Sequence, residues 1–201
     1  MCLMKPSINL FVWLRMHNFG PLLMVSVPYL ILSTLAGGES MTRLGPIAFQ
    51  SPTQLSFILP LAASFFSAYA LMSETNIRYP DPVAYKMGRL GAMIAVTAIT
   101  CCLSISYNIF GVATGGEVAA VRNAIFFIGA YLVLQRILPQ AYWIIVPIYA
   151  MACMFLGYNN EGYYFWALPL WDEGSMGHMI FSLFLWSLAL ILQLRSPSNI
   201  E

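Results

Sequence analysis

Charge is scarce in this chain. Lysine, arginine, aspartate and glutamate make up 8% of its 201 residues, where a soluble domain carries about 25%. A chain so poor in charge is not solvated mainly by water. Histidine is scarcer: only His17 and His178 are present, so no helix can carry the two histidines of an H-E-x-x-H zinc site. The phosphate-cradling pattern G-x-x-x-x-G-K-[ST] is missing, which removes that route to ATP hydrolysis by this chain. The G-x-S-x-G elbow is missing too. No paired carboxylates suggest acid–base work. The apolar stretches hold no carboxylate near their middles, where proton-coupled carriers place one. These absences argue against an enzyme, so no catalytic residue, metal ligand or resident cofactor is assigned. A net charge of +1 argues against a nucleic-acid partner.

Four cysteines are present, at 2, 101, 102 and 153. None has metal spacing such as C-x-x-C. Cys101, Cys102 and Cys153 lie inside apolar runs and read as small hydrophobes. A redox role for the adjacent pair is the sharper alternative, and nothing else in the sequence supports it.

What the chain does have is hydrophobic length. Sixty per cent of its residues are hydrophobic. Six apolar stretches, at about 20–36, 55–73, 90–110, 119–137, 141–157 and 176–194, approach or exceed the ~20 residues that cross a bilayer core. Backbone polar groups in lipid must pair internally, which leaves helices or closed barrels. Continuous rather than alternating runs select helices. The expected fold is therefore an all-α integral membrane protein, one transmembrane domain over 1–201. It has six transmembrane helices, an N-terminal interfacial helix at 8–17, and a re-entrant outer element before the last helix. The Gly37-Gly38-Glu39 segment after the first stretch lacks a convincing small-x-small processing site, so no cleaved leader is expected.

The positive charges fix an orientation. With the N-terminus inside, Lys5, Arg15, Arg78, Lys86, Arg89, Arg136 and Arg195 fall on the cytoplasmic side, and only Arg43 and Arg122 fall outside. Seven against two satisfies the positive-inside rule. The expected location is the cell membrane, multi-pass, with both termini cytoplasmic.

Three segments stand out against this background. The inner loop 74–89 carries both signs, with Glu74, Arg78, Asp81, Lys86 and Arg89 beside Tyr85. It reads as a short amphipathic helix that docks a soluble partner, or as a solvated loop obeying the charge rule; Pro80 and Pro82 interrupt any continuous helix. The outer segment 158–175 crowds Tyr163, Tyr164, Trp166 and Trp171 around Pro169. It reads as a gate over a substrate path, or as an aromatic interfacial belt. Arg122-Asn123 opens the fourth stretch. It reads as a site for an anionic headgroup or for Glu117, or as an anchor snorkelling to the interface. Small residues at Ala63, Ser67 and Ala70, and at Gly91, Ala95 and Ala98, suit close helix packing, within the chain or between copies.

An interfacial segment, six stretches, a charged loop after the second and a broken aromatic element before the sixth together resemble the membrane subunits of type-2 ABC exporters. More narrowly, Arg122-Asn123, Gly129, Trp143, Pro147, Tyr149, Gly157, Trp166 and Pro169 look like a pattern in small actinobacterial permease-like proteins found beside ABC ATPases. The narrower likeness covers the C-terminal third to half of the chain, and six spans alone are not specific. The chain is short and leaves no room for a large external domain. The resemblance implies a permease subunit that works with a cytoplasmic ABC ATPase, a second permease subunit and membrane lipids. ATP-Mg would sit on the ATPase, and loop 74–89 would be the coupling segment. The substrate would be amphipathic: a peptide antibiotic, drug or lipid. Two alternatives stay open: a substrate-binding subunit of a vitamin uptake transporter, and a membrane immunity protein or lipid enzyme acting without ATP.

Overall fold

A computed structural model describes residues 20, 24, 26–31, 40–44, 47–72, 82–106, 117–159, 162–171 and 175–195. The expected interfacial segment 8–17, most of the first stretch, and Glu74, Arg78 and Asp81 lie outside the described residues; so does the side chain of Tyr85. The molecule is mostly helical. A β-hairpin, β1 (Ser40–Leu44) and β2 (Ile47–Gln54), precedes helix α1 (Leu55–Met72). Helices α2 (Pro82–Ser104), α3 (Glu117–Ile137) and α4 (Tyr142–Leu156) follow. A two-residue hairpin, β3 (Tyr158–Asn159) with β4 (Gly162–Tyr163), and a single 3-10 turn, Leu168–Leu170, then lead into α5 (Met176–Arg195).

Among the described residues, Lys86–Ser104, Glu117–Ile137 and Met176–Arg195 are long and apolar enough to cross a membrane. The 15 residues of α4 rise only about 22 Å at 1.5 Å each, short of a ~30 Å hydrocarbon core. Large apolar side chains of α5, among them Ile180, Phe181 and Phe184, are exposed. An outward apolar face of this size suits lipid rather than water.

The centre of the bundle is α3, which packs against α1, α2, α4 and α5. Its composition explains the position. Ala119, Ala120, Ala124, Gly129 and Ala130 present little side chain, so neighbouring backbones come close. At Gly129 a Cβ would lie 2.9 Å from the backbone nitrogen of Trp186, so only glycine lets α5 cross here. Polar groups along the seams are paired. Ser67 and Thr100 meet across α1 and α2 at 2.5 Å, and each also reaches the carbonyl one turn before it, at Ala63 and Val96. Two hydroxyl protons thus serve three contacts. Trp186 Nε1 donates to Thr97 Oγ1 at 3.0 Å, tying α5 to α2.

Three features differ from the sequence expectation. Helix α2, which holds the third apolar stretch, starts at Pro82 rather than near 90. Proline at a first helical position loses no hydrogen bond, so Pro82 opens this helix instead of breaking it. Residues 82–89 accordingly continue α2 and form no separate docking helix. On α2 the packed face is Ala92, Met93, Val96 and Thr100. Of the small residues there, Gly91 and Ala98 are exposed and Ala95 packs half-buried against the core, whereas Ala63, Ser67 and Ala70 on α1 all face in. Between α4 and α5, the described residues form a hairpin and one 3-10 turn rather than a re-entrant helix. Pro169 and the tight turns on either side leave no run long enough to wind one.

Candidate functional site

The N-terminal end of α3 and the segment 158–171 form one hydrogen-bonded unit. Arg122 sits in the second turn of α3 and is only 2% exposed. Its Nη2 donates to the carbonyl of Trp171 at 2.7 Å, and Nε and Nη2 both reach Asn123 Oδ1 at 3.2 Å. Asn123, 1% exposed, donates from Nδ2 to the carbonyl of Pro169 at 2.8 Å. The pair thus fastens two successive bends of the segment onto the helix. A guanidinium at a bilayer centre costs about 2.5–3.5 kcal/mol. Here it turns inward to the Trp171 carbonyl and the Asn123 side chain instead of snorkelling outward, which departs from the anchor reading.

The remaining aromatics join the same network. Trp171 Nε1 donates to the carbonyl of Tyr164 at 2.8 Å. Tyr149, on α4, donates from its hydroxyl to the carbonyl of Trp166 at 2.5 Å. Tyr164 and Trp166 stack with centroids 6.0 Å apart, and Tyr163 packs edge-on against Tyr158 at 5.3 Å. His178 opens α5 beneath Trp171, with ring centroids 4.6 Å apart. Its Nε2 faces the carbonyl of Phe165 at 3.3 Å, and its Nδ1 meets Ser175 Oγ. A carbonyl only accepts, so the neutral ring carries its proton on Nε2 and accepts from Ser175 at Nδ1.

Glycines make the fold-back possible. At Gly157 a Cβ would lie 2.2 Å from the carbonyl oxygen of Cys153 and 2.7 Å from the Ala167 Cβ, so the chain turns back over α4 only without a side chain there. Gly162, at φ 131°, takes a backbone conformation that disfavours any Cβ.

Beside this unit, an apolar groove of about 180 Å³ opens between α3 and α4. Phe126, Ala130, Leu134, Ile145, Val146 and Tyr149 line it. Phe126 lies one turn below Arg122, and Tyr149 is hydrogen-bonded to the segment at Trp166, so the groove starts under the fastened loop. An apolar lining offers room to hydrocarbon and no partner for an ion. Among the described residues no group of His, Cys, Asp or Glu could hold a metal ion.

The other predicted site is not brought together in the same way. Lys86 is exposed on the first turns of α2. Arg89 is only 8% exposed and donates to Gln193 Oε1 and to the carbonyl of Leu71, at 3.4 Å. A side chain so enclosed ties α1, α2 and α5 together.

Sequence reasoning put Arg122, Asn123, Tyr163, Tyr164, Trp166 and Trp171 in one region, and the fold joins them. It missed the part of Tyr149, and it missed Gln193, a glutamine 1% exposed near the end of an apolar helix. A lone amide in such a helix was the available signal. Comparison with protein-family models, with curated proteins and with solved structures finds no match.

Proposed function

We propose that this chain is a six-span membrane protein that handles an amphipathic molecule beneath its 158–171 segment. Within that class we read it as the permease subunit of an ATP-driven, type-2 exporter. The observation that carries the reading is the fastened loop: buried Arg122 and Asn123 hold an aromatic segment that Tyr149 links to an apolar groove between α3 and α4. Aromatic walls and a dry groove suit a ligand that is part hydrocarbon and part polar. With the positive-inside orientation this loop lies on the outer side and the Pro82 end of α2 on the cytoplasmic side. ATP binding by a partner ATPase would then bias the subunit between inward and outward access through its cytoplasmic end. The burial of Arg89 shifts the coupling surface toward Lys86 and the 74–81 connection.

The test is purification in mild detergent from a cell that makes the chain naturally. The exporter reading expects a cytoplasmic ATPase to co-purify. It also expects replacement of Asp81 and Lys86 together to uncouple ATP hydrolysis from transport. Recovery of the chain without an ATPase overturns it. The same fastened loop also fits a substrate-capture subunit for vitamin uptake. Tight vitamin binding by the isolated chain would favour that second reading.

A further inference from the structure

The turn between α3 and α4 is apolar, exposed and poor in charge, and the transport reading does not use it. Ile137 is 64% exposed, Leu138 44% and Trp143 52%. Between 123 and 160 the one charged residue is Arg136. The 74–89 connection, by contrast, carries charge of both signs. An exposed apolar patch at a helix connection marks a surface that meets something other than water.

The backbone of the turn is closed on itself. The Leu138 amide donates to the Leu134 carbonyl at 2.6 Å. The amides of Ala141 and Tyr142 donate to the Leu138 carbonyl at 3.0 and 3.1 Å, and those of Ile144 and Ile145 to the Ala141 carbonyl at 3.0 Å. Pro139 has no amide proton to satisfy. Trp143 Nε1 donates to the Gln140 carbonyl at 2.9 Å, so the indole needs no water. A solvated turn finds such partners in water, whereas a turn that enters lipid must bring its own. The polar groups left over are those of Gln140 and the fork of Arg136, both exposed.

The depth agrees. The 21 residues of α3 rise about 31 Å at 1.5 Å each, the thickness of a ~30 Å hydrocarbon core. Ile137 therefore falls at the edge of that core. The turn beyond it falls in the headgroup layer, which adds roughly 5–8 Å on each side. The exposed apolar surface also continues from the turn along one face of α4, through Ile144, Ile148 and Met151. An apolar knob rimmed by one cation complements a leaflet boundary, with hydrocarbon below and phosphate above.

We propose that the 137–143 turn is a lipid anchor. Ile137, Leu138 and Trp143 enter the headgroup–acyl boundary of the adjoining leaflet, and Arg136 reaches its phosphates. The inference rests on the membrane half of the reading above and not on transport.

The experiment places the full chain in nanodiscs, whose two faces are both open to water. The lipid is phosphatidylcholine with or without bromine on its acyl chains. Emission of Trp143 is read as the difference between the native chain and Trp143→Phe. It should be lost most to bromines at the headgroup end of the acyl chains, less to bromines near the methyl end, and least to iodide in the water. Leu138→Trp in the Trp143→Phe background is a second reporter with the same expected order. Phe184→Trp, on the exposed face of α5, is the control, and both brominated lipids should quench it. If the control is quenched by lipid while the turn reporters respond only to iodide, the turn stands in water and the proposal is overturned alone. Turn reporters shielded from bromine and iodide alike lie under a protein surface, which also overturns it. An unquenched control overturns the membrane reading and the proposal with it.

Discussion

The two ends of α3 each carry an arginine, and they are built on opposite plans. At the N-terminal end Arg122 is enclosed and donates to the carbonyl of Trp171, with Asn123 beside it holding Pro169. At the C-terminal end Arg136 is exposed and shares a single amide oxygen with Arg89. The first arrangement turns the guanidinium onto the chain's own groups and fixes a loop. The second leaves charge facing out. The same residue type on one helix is thus a fastener at one end and an open electrostatic surface at the other. The difference lies in enclosure: Arg122 is buried between Asn123 and the Trp171 carbonyl of a folded-back segment, whereas Arg136 is exposed beside one side-chain amide.

The closed end is expected to show the largest losses. Arg122→Met keeps the stem of the side chain and removes the fork. Hydrogen bonds to charged groups contribute about 1.5–3 kcal/mol, and buried acceptors left behind add to the loss. The variant is expected to lose about 3 kcal/mol in denaturant unfolding from detergent micelles. Gly157→Ala comes next. Its Cβ cannot share space with the Cys153 carbonyl at 2.2 Å, so the loop must lift or the end of α4 must unwind. Overpacking of this kind costs about 1–3 kcal/mol. Limited proteolysis should cut the 158–171 segment faster in this variant. The smallest effect belongs to the open end. Arg136→Gln removes an exposed cation with one hydrogen bond, so its thermal midpoint should match that of the native chain within error. A large drop there would erase the distinction between the two ends.

The sequence made the helices legible where apolar runs are continuous and polar residues bound them. The helices α1, α3, α4 and α5 begin and end within two residues of the stretches read at 55–73, 119–137, 141–157 and 176–194. The start of α2 was hidden because Pro82 reads as a breaker in mid-helix and as an opener at a first turn, and composition alone does not say which. The β1–β2 hairpin was hidden in a short polar connection, although Gly45-Pro46 between its strands is a turn signal. Arg122-Asn123 and the aromatic segment were each visible as unusual. Their joining was not, because the acceptors are the carbonyls of Trp171 and Pro169, and a main-chain oxygen leaves no trace in residue identity. Gln193 was visible as a lone amide in an apolar helix, but its partners were not, because they come from two other helices far away in sequence.

The enclosure of Arg122 and Asn123 is therefore the centre of the account, and backbone hydrogen exchange reads it directly. In the native chain the amides of Ala167 and Leu170 donate within the fastened loop, to the carbonyls of Tyr164 and Ala167. Exchange of the 162–171 segment measured by mass spectrometry should be slow in the native chain. In Asn123→Ala it should be faster by about tenfold, equivalent to about 1.4 kcal/mol for one lost buried hydrogen bond, with the middle of α3 unchanged. Equal protection of that segment in both proteins would contradict the clamp.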